Sequence, residues 1–221
     1  MRTRIKICCI TSREEAKMAI QFGADALGLV GKMPSGPGPI EDELIADIAR
    51  SIPPPIASFL LTSEQTASNI IAHARRTHTN TLQIVDELTE GSYLHIKQAM
   101  PAVKLVQVIH VTNEESIAEA KFMAPYVDTL LLDSGNLNAT LKILGGTGNV
   151  HNWQISKQIV EAVSIPVFLA GGLDALNVGE AIALVKPFGV DVCNGVRTGG
   201  KLDPLKLAAF VVAVRTADGG N

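Results

Sequence analysis

The chain has 221 residues, of which 47% are hydrophobic and 4% aromatic, enough for a large core in a single domain spanning 1–221. Its net charge of -3, with scattered basic residues, argues against nucleic acid or an acidic membrane as a partner. The first residues carry too short an apolar run for a signal peptide, and three cysteines provide neither a disulfide framework nor zinc-ligand spacing. We therefore expect a cytoplasmic protein that binds small molecules.

Short β-branched and aliphatic runs alternate with longer stretches at helical spacing along the whole chain. The predicted strands are Ile5–Cys9, Ala26–Val30, Ala57–Leu61, Thr81–Val85, Leu105–Ile109, Thr129–Leu132, Val167–Ala170 and Val190–Cys193. The predicted helices are Glu14–Gln21, Asp42–Arg50, Glu64–Arg75, Tyr93–Met100, Glu114–Met123, Trp153–Val163, Ala175–Val185 and Pro204–Val214.

Eight strand-helix units of this length predict an α/β fold, a (β/α)₈ TIM barrel, with a doubly wound open sheet as the alternative. The segment Lys32–Ile40, "KMPSGPGPI", is too rich in glycine and proline for either element and is interpreted as a long loop. Residues 216–221 are expected to form a frayed tail.

In a TIM barrel, functional residues lie at the carboxyl ends of the strands. Here these ends carry Cys8, "DS" at Asp133–Ser134, "AGGL" at Ala170–Leu173 and "CNGV" at Cys193–Val196. The last two follow strands seven and eight, where barrels frequently bind phosphate through backbone N–H groups. Glycine suits such loops because a missing Cβ lets the backbone approach an anion.

The segments "KICCIT", "GADALGLV", "LLDS", "GGTG", "LAGGL" and "PFGVDVCNGV" occur in this order, with "LDPLKLAAFV" behind them. Together they resemble phosphoribosylanthranilate isomerase of tryptophan biosynthesis, from about Ile5 to Arg215. The resemblance implies an isomerase that converts a phosphorylated sugar amine by an Amadori rearrangement. It implies no metal and no organic cofactor.

By this resemblance, Cys8 is the general base and Asp133 is the general acid. The phosphate-binding residues implied are Gly171, Gly172, Asn194 and Gly195. The further substrate contacts that we interpret from the sequence are Lys6, Gly38, Gln83, Gly146 and His151.

The sequence departs from the family pattern at several of these positions. No arginine lies near Gly38, where the family carries one for the substrate carboxylate, and Val85 replaces a histidine. Asn152 replaces an aspartate, Cys9 replaces a glycine, and "CNG" replaces the usual "SSG". These changes leave two alternatives open: a paralogue acting on another phosphosugar amine, and a non-catalytic phosphosugar-binding protein.

The alternation of side chains along a strand distinguishes the two adjacent cysteines. If Cys8 faces the barrel interior, Lys6 does too, and Cys9 faces the helices. Strands one and eight are neighbours in a closed barrel, so Lys6 is expected to pair with Asp191 and to favour the thiolate of Cys8. The partners expected are a phosphorylated sugar amine and, as an open alternative, a second copy of the chain in a homodimer.

Overall fold

The computed structural model describes residues 2–134 and 151–219, and its eight main strands form one closed parallel barrel in chain order. The strands are β1 Arg4–Ile7, β2 Ala26–Val30, β3 Ala57–Thr62, β4 Thr81–Ile84, β5 Lys104–His110, β6 Thr129–Asp133, β7 Val167–Leu169 and β8 Gly189–Val192. The predicted (β/α)₈ barrel is confirmed. The open-sheet alternative is wrong, because β1 pairs with β8 as well as with β2.

A helix follows each strand and packs outside the barrel. The helices are α1 Arg13–Gln21, α2 Asp42–Ser51, α3 Ala67–Thr77, α4 Tyr93–Ala99, α5 Glu115–Met123, α6 Trp153–Ala162, α7 Val178–Val185 and α8 Pro204–Ala217. Two short 3₁₀ turns, Ala124–Tyr126 and Asn194–Val196, and the two-residue strands β9 Arg197–Thr198 and β10 Lys201–Leu202 complete the described elements.

Local capping explains where several helices begin. Thr66 accepts a hydrogen bond from the Asn69 amide, so α3 begins at Ala67 rather than at the predicted Glu64. Asp203 accepts from the amides of Leu205 and Lys206, with a proline at the first helical position of α8.

The predicted frayed tail, 216–221, is wrong for its first residues, because α8 continues to Ala217. Asp218 then accepts hydrogen bonds from the backbone amide of Thr3 at 3.0 Å and from its hydroxyl at 2.6 Å. These contacts join the two ends of the chain on the side of the barrel where the strands begin. Residues 220–221 lie outside the described part of the chain.

The apolar core has two layers. The larger layer lies between barrel and helices and combines strand residues such as Ile5 and Leu29 with helix residues such as Phe210. The smaller layer fills the barrel with residues from the strands and from the loops at their carboxyl ends, including Phe59 and Phe168, whose rings meet edge to face. The filled interior leaves the carboxyl ends of the strands as the place for a cavity.

Candidate active site

A cavity of about 300 Å³ lies at the carboxyl ends of the strands. Seven residues predicted from the sequence line it: Cys8, Gln83, Asp133, Gly171, Gly172, Asn194 and Gly195. Its other lining residues include Ser35, Gly36 and Pro37 from the loop after β2, together with Cys9, Asp174, Asp191 and Cys193. Of the remaining predicted site residues, His151 lies beside Gly171, Lys6 and Gly38 lie behind the cavity wall, and Gly146 lies outside the described residues.

Cys8 follows β1 directly and is only 6% exposed. The Lys6 ammonium, which is completely buried, lies 3.6 Å from its sulfur and 2.7 Å from Asp191 Oδ2. The predicted Lys6–Asp191 pair is therefore present, with the two residues opposite each other in the β1–β8 register. Lys6 does not line the cavity and supports Cys8 from below, and its role as a substrate contact stays a prediction.

The charge state of Cys8 follows from these neighbours. A hydrogen bond with the Cys9 thiol and the charge of Lys6 lower the pKa of Cys8 and together outweigh burial, which opposes ionisation. Burial alone would lower the pKa of Lys6, but the charges of Asp191 and Cys8 raise it, so Lys6 stays protonated. These neighbours therefore shift the ionisation equilibrium of Cys8 toward the thiolate.

Gly28 in β2 leaves space for the Cys8 sulfur and the Lys6 ammonium. It was not identified as a site residue from the sequence. A Cβ at this position would lie 2.7 Å from the Cys8 sulfur and 3.1 Å from Lys6 Nζ. A glycine inside a predicted strand is the signal that could have found it, because it often marks a close approach of other groups.

We expect Gly28→Ala to lower kcat by about 10²-fold, since the added methyl group must displace the Cys8 sulfur or the Lys6 ammonium. The matched control is Gly179→Ala in α7, where nothing lies within 4 Å of the added Cβ and the backbone is helical. Steady-state kinetics and thermal unfolding of both variants make the comparison. A Gly28→Ala enzyme that is folded and as fast as the control contradicts this account of Cys8.

The prediction that Cys9 faces the helices is wrong. β1 ends at Ile7, and Cys9 has a φ of 61°, in the left-handed region that favours glycine. This backbone turn directs its thiol to the cavity side, where it accepts a contact from Cys193 Sγ at 2.7 Å and lies 3.5 Å from the Pro37 carbonyl oxygen. The rule of alternating side chains applies only while the strand continues.

Arg197 is a second residue that the sequence did not reveal. Its buried guanidinium donates to the carbonyl oxygens of Cys8 and Cys9 and pairs with Glu15 at 3.0 Å. Because these carbonyls belong to the left-handed turn, the arginine holds that turn in place from outside the cavity. No spacing in the sequence relates Glu15 to Arg197.

Asp133 ends β6 and lies across the cavity from β1. Burial raises the pKa of Asp133, and the Asp191 charge adds to this effect, against the opposing hydrogen bond from the Ser134 amide at 2.7 Å. His110 is its partner in the β5–β6 register, and its Nε2 atom lies 3.0 Å from the Val85 carbonyl oxygen. A carboxyl group with a raised pKa can keep a transferable proton.

His151 and Gly171 lie beside Asp133. A Cβ at Gly171 would lie 3.0 Å from His151 Nδ1 and 3.2 Å from Asp133 Oδ1, so a side chain there would crowd both groups, and the φ of 83° also favours glycine. Burial lowers the pKa of His151 to about 4, and its Nε2 atom lies 2.7 Å from Ser156 Oγ. His151 is therefore neutral at neutral pH, and its other ring nitrogen is directed to the region around Asp133.

The loops after β7 and β8 meet at the cavity, as an anion site in this fold requires. A Cβ at Gly195 would lie 2.1 Å from the Leu173 carbonyl oxygen, so the second loop can pack on the first only through a glycine. Gly171 and Gly172 both have positive φ, at 83° and 64°. The Asn177 side chain donates to the Gly172 carbonyl oxygen at 2.8 Å and so fixes the first loop.

The loop after β2 contributes Ser35, Gly36 and Pro37 to the cavity, but the predicted substrate contact Gly38 lies elsewhere. With a φ of 82°, Gly38 packs against Cys9, and a Cβ there would lie 2.6 Å from the Cys9 Cβ. Its role as a substrate contact stays a prediction. Gln83 does line the cavity, and its buried side-chain oxygen has no hydrogen-bond partner in the described protein.

Comparisons with known proteins agree with this geometry. Residues 5–213 match the family model for N-(5'-phosphoribosyl)anthranilate isomerase. The chain is 39% identical over 210 residues to N-(5'-phosphoribosyl)anthranilate isomerase 2 of Methanosarcina mazei, covering 94% of this chain and 92% of that protein.

Two solved structures are similar in fold along almost the whole chain. The phosphoribosylanthranilate isomerase of Thermotoga maritima has a TM-score of 0.79 at 26% identity, over 98% of this chain and 99% of that one. A phosphoribosylanthranilate isomerase in complex with reduced 1-(o-carboxyphenylamino)-1-deoxyribulose 5-phosphate has a TM-score of 0.76 at 25% identity, with the same coverage. In the described part of the present chain, no helix is long and apolar enough to cross a membrane.

Proposed function

Because the chain belongs to the phosphoribosylanthranilate isomerase family, it is an isomerase of tryptophan biosynthesis, and we propose that Cys8 and Asp133 perform its two proton transfers. One observation carries this assignment: a cysteine favoured as thiolate and a carboxyl group with a raised pKa line the same cavity. The alternatives, a paralogue with another substrate and a non-catalytic binding protein, are less favoured by the family match.

Asp133 acts first, as the general acid. Opening the ribose ring requires a proton on the ring oxygen while the bond from C1 to that oxygen breaks. A carboxyl group whose pKa is raised by burial keeps its proton to a higher pH and can supply it here. The ring opens to an iminium ion, with the positive charge next to C2.

Cys8 acts second, as the general base. The iminium ion makes the C2 proton acidic, and the Cys8 thiolate removes it to form an enolamine, which tautomerises to the aminoketose phosphate. Lys6 remains charged beneath the thiolate through its pairing with Asp191, so it stabilises the basic form without contacting the sugar. The carboxylate of Asp133 can recover a proton at the end of the cycle.

The glycine loops hold the substrate phosphate in this proposal. Gly171, Gly172, Asn194 and Gly195 line one part of the cavity, and backbone N–H groups are the donors that such loops offer to an anion. In Gly195→Ala the added methyl group clashes with the Leu173 carbonyl oxygen and displaces the loop. This variant should therefore bind the substrate phosphate more weakly and have a higher KM. A sulfate ion bound at these loops in crystals grown from sulfate would be the direct observation.

The substrate carboxylate has no basic partner in the described cavity wall, which contains neither arginine nor lysine. His151 is neutral at neutral pH, so it offers no cation. The loop after β2 lines the cavity at Gly36, and in this proposal its backbone amide is a neutral donor to the carboxylate. Such donors are weaker than a charge-assisted pair by roughly 1 to 2 kcal/mol, about tenfold in affinity.

We therefore expect turnover of phosphoribosylanthranilate with a KM about tenfold above that of a relative with the arginine. The measurement is steady-state kinetics on that substrate and on an analogue whose anthranilate carboxylate is replaced by hydrogen. A higher kcat/KM for the natural substrate supports carboxylate recognition. Equal values for the two compounds mean that the carboxylate is not recognised. This result would favour the alternative that the chain is a paralogue acting on another phosphosugar amine.

Complementation tests the function itself. A tryptophan auxotroph that lacks only this isomerase should grow when it expresses the chain. The matched control is the Asp133→Asn variant, which should fail to restore growth at equal protein level. Growth with neither protein, while purified chain binds phosphosugar, would support the non-catalytic alternative.

The assembly and location are also proposals. Leu176 and Leu205, 95% and 81% exposed, lie at the beginnings of the neighbouring helices α7 and α8. We propose that this apolar rim contributes to a homodimer that works in the cytoplasm. Light scattering of the purified chain and of Leu205→Glu should show a dimer for the first and a shift to monomer for the second.

A further inference from the structure

All three cysteines of the chain meet at the active site, although the sequence separates them into two groups. Cys193 Sγ lies 2.7 Å from Cys9 Sγ, across 184 positions of sequence, and Cys9 directly follows Cys8 and is the neighbour that most lowers its pKa. Cys8 is explained by the proton transfer from C2. The other two thiols take no proton from the substrate and form a pair of their own.

The backbone at Cys9 gives a second, independent indication. Its φ of 61° favours glycine, and a cysteine there carries a conformational cost that glycine would avoid. Both Cys9 and Cys193 are positions where the sequence departs from the motifs described above. Two such departures in direct contact indicate that the thiols act together rather than filling space separately.

We propose that Cys9 and Cys193 form a reversible disulfide by exchange with small-molecule disulfides, and that this oxidation slows the isomerase by removing the thiol that faces Cys8. Cys193 is the more exposed of the two and reacts first, while Cys9 is 5% exposed beside it. The site is therefore a redox modification site within the active-site wall.

The chemistry is ordinary thiol-disulfide exchange. The thiolate of Cys193 attacks one sulfur of an oxidant RSSR, which forms a mixed disulfide and expels RS⁻. Cys9 then loses its proton and displaces the second RS⁻, so the S–S bond between Cys9 and Cys193 replaces that of the oxidant. The two protein thiols lose two electrons, and the oxidant is reduced to two thiols.

The effect on catalysis follows from the contact between Cys9 and Cys8. In the disulfide, Cys9 has no S–H to donate, so the thiolate of Cys8 loses the neighbour that lowers its pKa most. Lys6 and Asp191 still act on Cys8 from below, and Arg197 still binds its carbonyl oxygen. We expect the base to survive with a higher pKa, so that activity falls at neutral pH and the rising limb of the pH profile moves to higher pH.

Mass spectrometry tests the bond without relying on activity. The purified protein is equilibrated in buffers of oxidised and reduced glutathione, alkylated and digested with trypsin, and the expected product joins peptide Ile7–Arg13 to peptide Gln158–Arg197. The link should form in the Cys8→Ala variant and be absent in Cys9→Ser and Cys193→Ser. A link that persists in Cys9→Ser, or no link at any ratio in folded protein, overturns the proposal.

Kinetics tests the consequence, which rests on the isomerase function. Oxidised protein should show a kcat/KM at neutral pH about tenfold below the reduced form, because less of Cys8 is then present as the thiolate. Reduction of the oxidised protein should restore its kcat/KM. The Cys193→Ser variant should have the same kcat/KM before and after oxidant treatment. Cys9→Ser, which keeps an O–H donor, should retain the reduced pH profile, and Cys9→Ala should resemble the oxidised one. If the disulfide-linked protein has the pH profile of the reduced protein, oxidation does not slow the isomerase and that part of the proposal is wrong. The isomerase function itself would not be affected by this result.

Discussion

Cys8→Ala is expected to lower kcat by about 10²- to 10⁴-fold, because it removes the group that takes the C2 proton. Binding should change little, since the phosphate loops and the mouth of the cavity remain intact. The loss should therefore appear in kcat far more than in KM. Single-turnover and steady-state measurements on purified protein separate the two effects.

The control for Cys8 is the last residue of the strand that precedes it. Ile7→Val removes one methylene from the buried layer between barrel and helices, at a cost of about 0.5–1.5 kcal/mol in unfolding free energy, and should leave kcat unchanged. If folded Cys8→Ala enzyme has a kcat within a few fold of this control, Cys8 is not the general base.

The pH profile gives a further check on Cys8. The thiolate is the active form, so kcat/KM should rise with pH as Cys8 ionises. The Cys9 hydrogen bond and the Lys6 charge lower the pKa of Cys8, so this rise should be complete at a lower pH than for an ordinary cysteine, whose pKa is about 8.5. A rise centred above that value would show that the two neighbours do not stabilise the thiolate.

Asp133→Asn is expected to lower kcat by about 10²-fold or more, since the amide keeps the shape of the side chain but has no proton to transfer. The raised pKa of Asp133 also predicts the opposite limb of the profile: kcat/KM should fall as pH rises through that pKa and the acid loses its proton. In Asp133→Asn this alkaline limb should disappear from the residual activity.

The matched control for Asp133 is Asp128, at the opposite end of β6. Asp128 comes just before β6 and accepts a hydrogen bond from the Leu105 amide at 2.9 Å, on the face opposite the cavity. Asp128→Asn should keep its activity and lose only some stability. If the two variants retain similar kcat, the acid is another group, and His151, which lies beside Asp133, is the next one to replace.

The sequence by itself determined the barrel and identified several of the residues that line its cavity. Eight apolar runs separated by helices leave a parallel sheet as the way to bury them, and the loops at the carboxyl ends then share one face. The pairing of Lys6 with Asp191 also followed, because alternation within each strand and closure between β1 and β8 place both inside. These conclusions need only local periodicity and the topology that it implies.

Only the tertiary structure decided the roles of the remaining residues. Cys9 could not be placed by alternation, since β1 ends before it and the turn beyond has its own geometry, held by Arg197 from the far end of the chain. The fit of Gly28 around Cys8 depends on the distance between adjacent strands, which no pattern encodes. The contact between Cys9 and Cys193 exists because barrel closure brings the first and last strand ends together, and sequence separation carries no information about that distance.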